Sequence, residues 1–174
     1  MLAYLIFPFI WLSQLSTAAE IGWSADRPLT WSDYKAKPDP SSGAAASTAT
    51  FLGFDYQYRN RTLTYKITNT LSPDRSWGRH KTAYILAHEQ GHFDIAEIYA
   101  RKLYQRMSKY KPGKNFQKDL GQIYENVSNE KAVYQQQYDR ETNHSIKTDE
   151  QAAWLKKIAE ELKATEEWKD YPRR

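Results

Sequence analysis

The sequence predicts an α+β fold, with a small, mainly antiparallel sheet packed on three long helices. Up to about residue 70, apolar and polar side chains alternate with the period of two expected of strands. From about residue 80 the period lengthens to that of an amphipathic helix, in three successive stretches. The length of 174 residues, 40% of them hydrophobic, suffices for one domain with its own core.

The first nineteen residues stand apart. They carry no charge, run apolar from Leu2 to Leu12, and end in the small residues Ser16, Thr17, Ala18 and Ala19. This is the pattern of a secretory leader cut after Ala18 or Ala19, leaving a single domain over 20–174. No Lys or Arg precedes Arg27, so the free amine alone supplies the positive end. The apolar run is too short to span a bilayer comfortably. The expectation is a secreted or periplasmic protein with no stable membrane span once the leader is gone. The absence of cysteine excludes disulfides and a lipid anchor at the cleavage site. The net charge of +4 is dispersed, without the clustered basic stripe that nucleic-acid binding requires.

In the mature chain, Trp23 and Trp31 flank a turn at Asp26–Pro28, and Pro38 to Gly43 reads as a loop. Thr48, Thr50, Leu52, Phe54, Tyr56 and Tyr58 form one face of a strand. Arg59–Asn60–Arg61 turns the chain, and Leu63, Tyr65 and Ile67 face the same way on the return. The first helix is predicted from about His80 to Met107. It is apolar over most of its surface, with a narrow polar face of Gln90, Asp94, Glu97, Arg101 and Gln105, and is therefore mainly buried. Glu97 and Arg101 read as an exposed i,i+4 ion pair on that face. Lys111–Pro112–Gly113 breaks this helix. The second runs from about Asn115 to Glu141, with the stripe Leu120, Ile123, Val127, Lys131, Tyr134 and Tyr138. A third starts near Thr148, where Thr148 and Gln151 suit a capping box.

One motif carries chemistry. His88-Glu89-Gln90-Gly91-His92 sits inside the first helix. Histidines four apart project from one face, one turn above the other, so their imidazoles can hold one Zn²⁺. Glu89 lies about 100° round, free to act as a base toward water on the metal. Two core histidines beside a surface glutamate would explain neither the pairing nor Glu89. Gly91 has two readings: it admits another backbone close to the metal-binding turn, or it is simply tolerated at a cost of up to about 1 kcal/mol.

Leu86 to Arg101, LAHEQGHFDIAEIYAR, resembles the DUF922 family of bacterial proteins, for which a secreted zinc-dependent protease activity is predicted. Leu29-Thr30-Trp31-Ser32-Asp33-Tyr34 with Pro38 is similar to the family's N-terminal segment. Ser76-Trp77 precedes the metal helix as in the family, and Tyr138-Asp139 with Thr142 and His144 resembles its C-terminal motif. Ser145 stands where family members often carry Gly. The resemblance, over nearly all of 21–165, implies a zincin-like metallopeptidase acting on a protein or peptide.

A catalytic zinc takes three protein ligands and an open position. His144 is the preferred third ligand, as the spare imidazole just past the second helix and within the family-like motif. Asp139, Glu141 and Glu130 are its rivals. Whichever acid is not a ligand can orient an imidazole. Tyr138 is a candidate donor to the developing oxyanion, although its place on the apolar stripe also suits packing. The hairpin from Thr48 to Thr68 is expected to offer an edge to which an extended substrate adds. The rival readings are a non-enzymatic periplasmic zinc-binding protein, an interaction module that retains the fold, and an amidase acting on cell-wall peptides.

Overall fold

The computed structural model describes residues 18–173. Residues 1–17, which hold most of the expected leader, lie outside that range. The fold is α+β. Strands β1 (Ile21–Gly22), β3 (Thr50–Arg59) and β4 (Thr62–Leu71) form an antiparallel sheet in the order β1-β4-β3. Strands β2 (Ala46–Ser47) and β5 (Trp77–Gly78) pair separately. The β3–β4 turn has Asn60 and Arg61 both at positive φ, the mirror-image turn whose twist matches that of the flanking strands. The even-numbered β3 residues and Leu63, Tyr65 and Ile67 face the core side, as their alternation anticipates. Leu52 and Ile67 are fully or nearly fully buried.

Helix α1 (Ala83–Lys109) is the centre of the molecule. Thr82 caps it by accepting a hydrogen bond from Ile85 N–H. Ile95, Ile98, Leu103 and Met107 lie between the sheet, through Leu52 and Ile67, and the helices α2 (Phe116–Thr142) and α3 (Thr148–Ala164), through Val127, Tyr138, Trp154 and Ile158. Leu29, Tyr34, Leu71 and Phe93 form a smaller core near the start of the chain. Among the described residues no helix is long and apolar enough to cross a membrane.

Two local expectations fail. Glu97 and Arg101 do pair, at 3.0 Å, but both are buried. The polar face of α1 is covered by distant chain: Trp23 Nε1 donates to Asp94, Leu29 N–H donates to Gln90, and the C-terminal residues Tyr171 and Arg173 donate to Glu97. Asn69 Nδ2 also donates to Glu97, so four donors surround this buried carboxylate. The capping box at Thr148 does not form. Lys147 is the N-cap, and the fully buried Gln151 side chain donates to the Tyr84 carbonyl instead, tying α3 to α1.

Candidate metal centre

Helix α1 projects His88 and His92 from one face, and α2 crosses it to bring Asp139 against both. Asp139 Oδ1 lies 3.2 Å from His88 Nε2 and 2.9 Å from His92 Nε2. One donor atom from each of the three residues falls within 4.8 Å of the others, so the group could hold a metal ion. Ligands at about 2.0–2.1 Å in a tetrahedron are roughly 3.3 Å apart, close to the separations from Asp139. Two imidazoles and a carboxylate are a donor set suited to a divalent transition ion, and three protein donors leave a fourth position for water.

The tautomer of His92 follows from its neighbours. Gln135 Nε2 donates to the His92 carbonyl at 3.3 Å, which turns Gln135 Oε1 toward His92 Nδ1 at 3.2 Å. An amide oxygen only accepts, so Nδ1 carries a proton and Nε2 is the nitrogen offered to a metal. Without a metal, burial would lower the pKa of His92, but the hydrogen bond to Asp139 and the charges of Asp139 and Glu89, with the hydrogen bond to Gln135, together outweigh it and the net shift is upward. Burial would likewise raise the Asp139 carboxyl, and the hydrogen bonds from His88 and His92 together with their charges overcome it, holding the group well below the usual carboxylate range. The proton shared between His92 Nε2 and Asp139 is the one a metal would displace.

Glu89 is buried beside this group and held by a relay from the N-terminal segment. Its Oε2 accepts a hydrogen bond from Thr48 Oγ1. That proton being committed, the Tyr34 hydroxyl, 2.7 Å from Thr48 Oγ1, must be the donor there. Burial pushes the Tyr34 phenol up, so it stays protonated. Glu89 Oε1 has no hydrogen-bond partner among the described residues. A cleft of about 280 Å³ opens over the centre, lined by His88, Glu89, His92, Asp139, His144 and the Ala44–Thr48 segment. A larger hollow of about 840 Å³ lies against the polar face of α1, where Asp94, Arg101 and Arg173 are already paired with their neighbours.

His144 reaches the cleft but does not join the converging donors. Its Nδ1 is 3.6 Å from Asp139 Oδ1 and its side chain is 63% exposed. It stands on an unusual turn in which Asn143, His144 and Ser145 all have positive φ, a region costing non-glycine residues roughly 1–2 kcal/mol each. Ser145 thus adopts the conformation for which glycine is suited. Glu130 forms a two-armed ion pair with Arg106, and Glu141 accepts from Trp154 and Gln137, so neither acid belongs to the centre.

Tyr138 is fully buried and does not line the cleft, which separates it from any oxyanion there. Its hydroxyl donates to the His88 carbonyl, and its ring stacks on His88 and meets His92 edge-on. It fills the space that Gly91 leaves open: a Cβ on Gly91 would stand 2.6 Å from the Tyr138 oxygen. The close approach anticipated at Gly91 is therefore made by a side chain of α2.

Residues 24–145, about seven tenths of the chain, match the DUF922 family, described as bacterial protein of unknown function. The chain belongs to the DUF922 family. No curated protein and no solved structure matches it. The match spans the three candidate metal donors, Glu89 and His144 of this DUF922 protein, and adds no activity to them.

Two members of the site were not legible as such in the sequence. Thr48 gives no signal beyond its place in an alternating strand. Gln135 lies one helical turn before Asp139, a spacing that marks it only once Asp139 is known to be at the centre.

Proposed function

We propose that this protein is a zinc-dependent metallopeptidase, exported by the leader read over residues 1–19. The observation that carries the reading is the free Oε1 of Glu89, a buried carboxylate whose other oxygen is anchored by Thr48, beside three converging metal donors. His88, His92 and Asp139 would hold the ion, with Asp139 in the third position for which the sequence favoured His144. Zinc bound there supplies Lewis-acid chemistry, acidifying water and polarising a carbonyl. A closed structural site would have a fourth protein donor, and three converge among the described residues.

Glu89 accepts a proton from the attacking water at Oε1 and returns it to the leaving amine. The Thr48–Tyr34 relay fixes the carboxylate so that Oε1 faces the reacting atoms. His144, exposed at the rim, is placed to hydrogen-bond the substrate carbonyl. Strand β2 pairs with β5 along one edge, and among the described residues no strand pairs with its other edge. An extended peptide adds along the Ala44–Thr48 segment, beside Glu89. Of the β3–β4 hairpin only Thr48, just ahead of it, lines the cleft; β3 itself is flanked by α2, where Tyr124 donates to the Leu52 carbonyl.

The test is to incubate zinc-supplied protein with a diverse peptide mixture and read new termini by mass spectrometry, alongside Glu89→Gln. Cleavage should fall about 10²–10⁴-fold in the variant with zinc content unchanged. Equal cleavage by the variant would remove Glu89 from the mechanism.

A further inference from the structure

A second hollow, of about 470 Å³, adjoins the metal cleft and shares Thr48, Gln135 and Asp139 with it as walls. Two cations line it. Lys131 lies on the otherwise apolar stripe of α2, half-buried, four residues before Gln135 and eight before Asp139. Arg75 faces the same space from the turn between β4 and β5. Neither side chain makes an ion pair or hydrogen bond with any described residue. Burial depresses the Lys131 pKa. Two acids share the hollow: Asp139 meets the two histidines through Oδ1, and Glu20 accepts from the Thr70 hydroxyl. Phe51, 54% exposed, adds an apolar wall.

A half-buried ammonium without a counter-ion is unfavourable on its own and gains most from a partner that arrives with a ligand. We infer that Lys131 and Arg75 form a subsite that binds a carboxylate of the peptide substrate. That the peptide is a substrate rests on the metallopeptidase reading, whereas the binding of a carboxylate does not. Eight helical residues separate Lys131 from Asp139 by about 12 Å. That distance corresponds to about three to four residues of an extended chain, so the carboxylate sits within a few residues of the bond at the centre. Its source is either an acidic side chain or a chain terminus.

The probe is a set of decapeptides in which one Glu is moved through a neutral sequence. Each has a Gln twin, and each is made with a free and with an amidated C-terminus. Dissociation constants are measured on zinc-supplied Glu89→Gln protein, with and without Lys131→Met or Lys131→Arg. At one position the Glu peptide should bind about tenfold more tightly than its twin. Lys131→Met should abolish that difference and Lys131→Arg largely restore it, with thermal midpoints no lower than the parent's. A preference that follows the free C-terminus instead identifies the terminal carboxylate as the ligand. No preference at any position, or a preference that survives Lys131→Met, overturns the subsite. Cleavage of the same peptides by the wild-type protein separates the two claims. Discrimination in binding without cleavage of either twin refutes the hydrolase alone, and equal cleavage with equal binding refutes the subsite alone.

Discussion

Replacing Gly91 by alanine tests how tightly the two metal-site helices are fitted together. Helix propensity alone predicts that Gly91→Ala stabilises α1 by about 1 kcal/mol. The structure predicts the opposite. The new Cβ would lie 2.6 Å from the Tyr138 oxygen and 3.0 Å from Cζ, so the ring must retreat by about 0.8 Å to regain the 3.4 Å of ordinary contact. It has nowhere to go, being fully buried with His88, His92 and Trp154 around it at centroid distances of 4.5, 5.1 and 5.4 Å. Overpacking of this kind costs about 1–3 kcal/mol, so after the helix-propensity gain the expected net effect is a loss of up to about 2 kcal/mol. Because Asp139 is the next residue, zinc affinity should fall as well. Urea denaturation of metal-free wild type, Gly91→Ala, Tyr138→Phe and the double variant measures the coupling, which should be at least about 1 kcal/mol because Tyr138→Phe removes the nearest atom. If Gly91→Ala stabilises the protein and the two substitutions add independently, the account of this contact is wrong.

Asp139→Asn should weaken zinc binding by on the order of 100-fold or more, since even groups behind the ligands are worth 10–100-fold, while His144→Ala should change it by less than about tenfold; competition against a chromophoric chelator reads both. In the metal-free protein, the raised pKa of His92 contributes stability that is complete below its unfolded value of about 6.5 and is lost as pH rises through the higher folded one. The lowered pKa of Asp139 contributes stability present above about 3.9 and lost as pH falls through its lower folded value. These two groups therefore favour the metal-free fold most between about pH 4 and 6.5, and saturating zinc should reverse the decline on the alkaline side because imidazoles bind it as free bases. Denaturation midpoints across pH with and without zinc check this, and a metal-free midpoint that keeps rising above pH 7 would contradict it. Arg101→Met should cost about 3–5 kcal/mol by leaving Glu97 short of its closest cation in the interior, with Glu97→Gln in the same chain recovering part of the loss in calorimetric midpoint.

What the sequence discloses divides along physical lines. The β3–β4 hairpin and the three helices were legible because each has its own periodicity and its own breakers at Asn60–Arg61 and Pro112–Gly113. His88, Glu89 and His92 were legible because helical geometry alone puts the two imidazoles together. The third donor was not, because it depends on where α2 crosses α1: Asp139 and His144 are only five residues apart, and the left-handed turn at 143–145 decides which one faces the pair. Tyr138 was ambiguous for a related reason, since its stripe position fits packing and its hydroxyl fits catalysis until burial decides. Glu97 and Arg101 looked exposed because a helical wheel cannot show that Trp23, Tyr171 and Arg173 fold over them. Thr48 and Gln135 act through partners 41 and 43 residues away, a relation that no local pattern encodes.

The central claim is that His88, His92 and Asp139 bind one divalent ion. Elemental analysis of the protein, purified without a His-tag or chelator and then supplied with zinc at neutral pH, tests it most directly beside His88→Ala and Asp139→Asn. The account predicts about one zinc per chain in the wild type, none retained by His88→Ala and a much reduced amount in Asp139→Asn. A wild-type protein that retains no metal, or an Asp139→Asn protein that retains as much as the wild type, would contradict it.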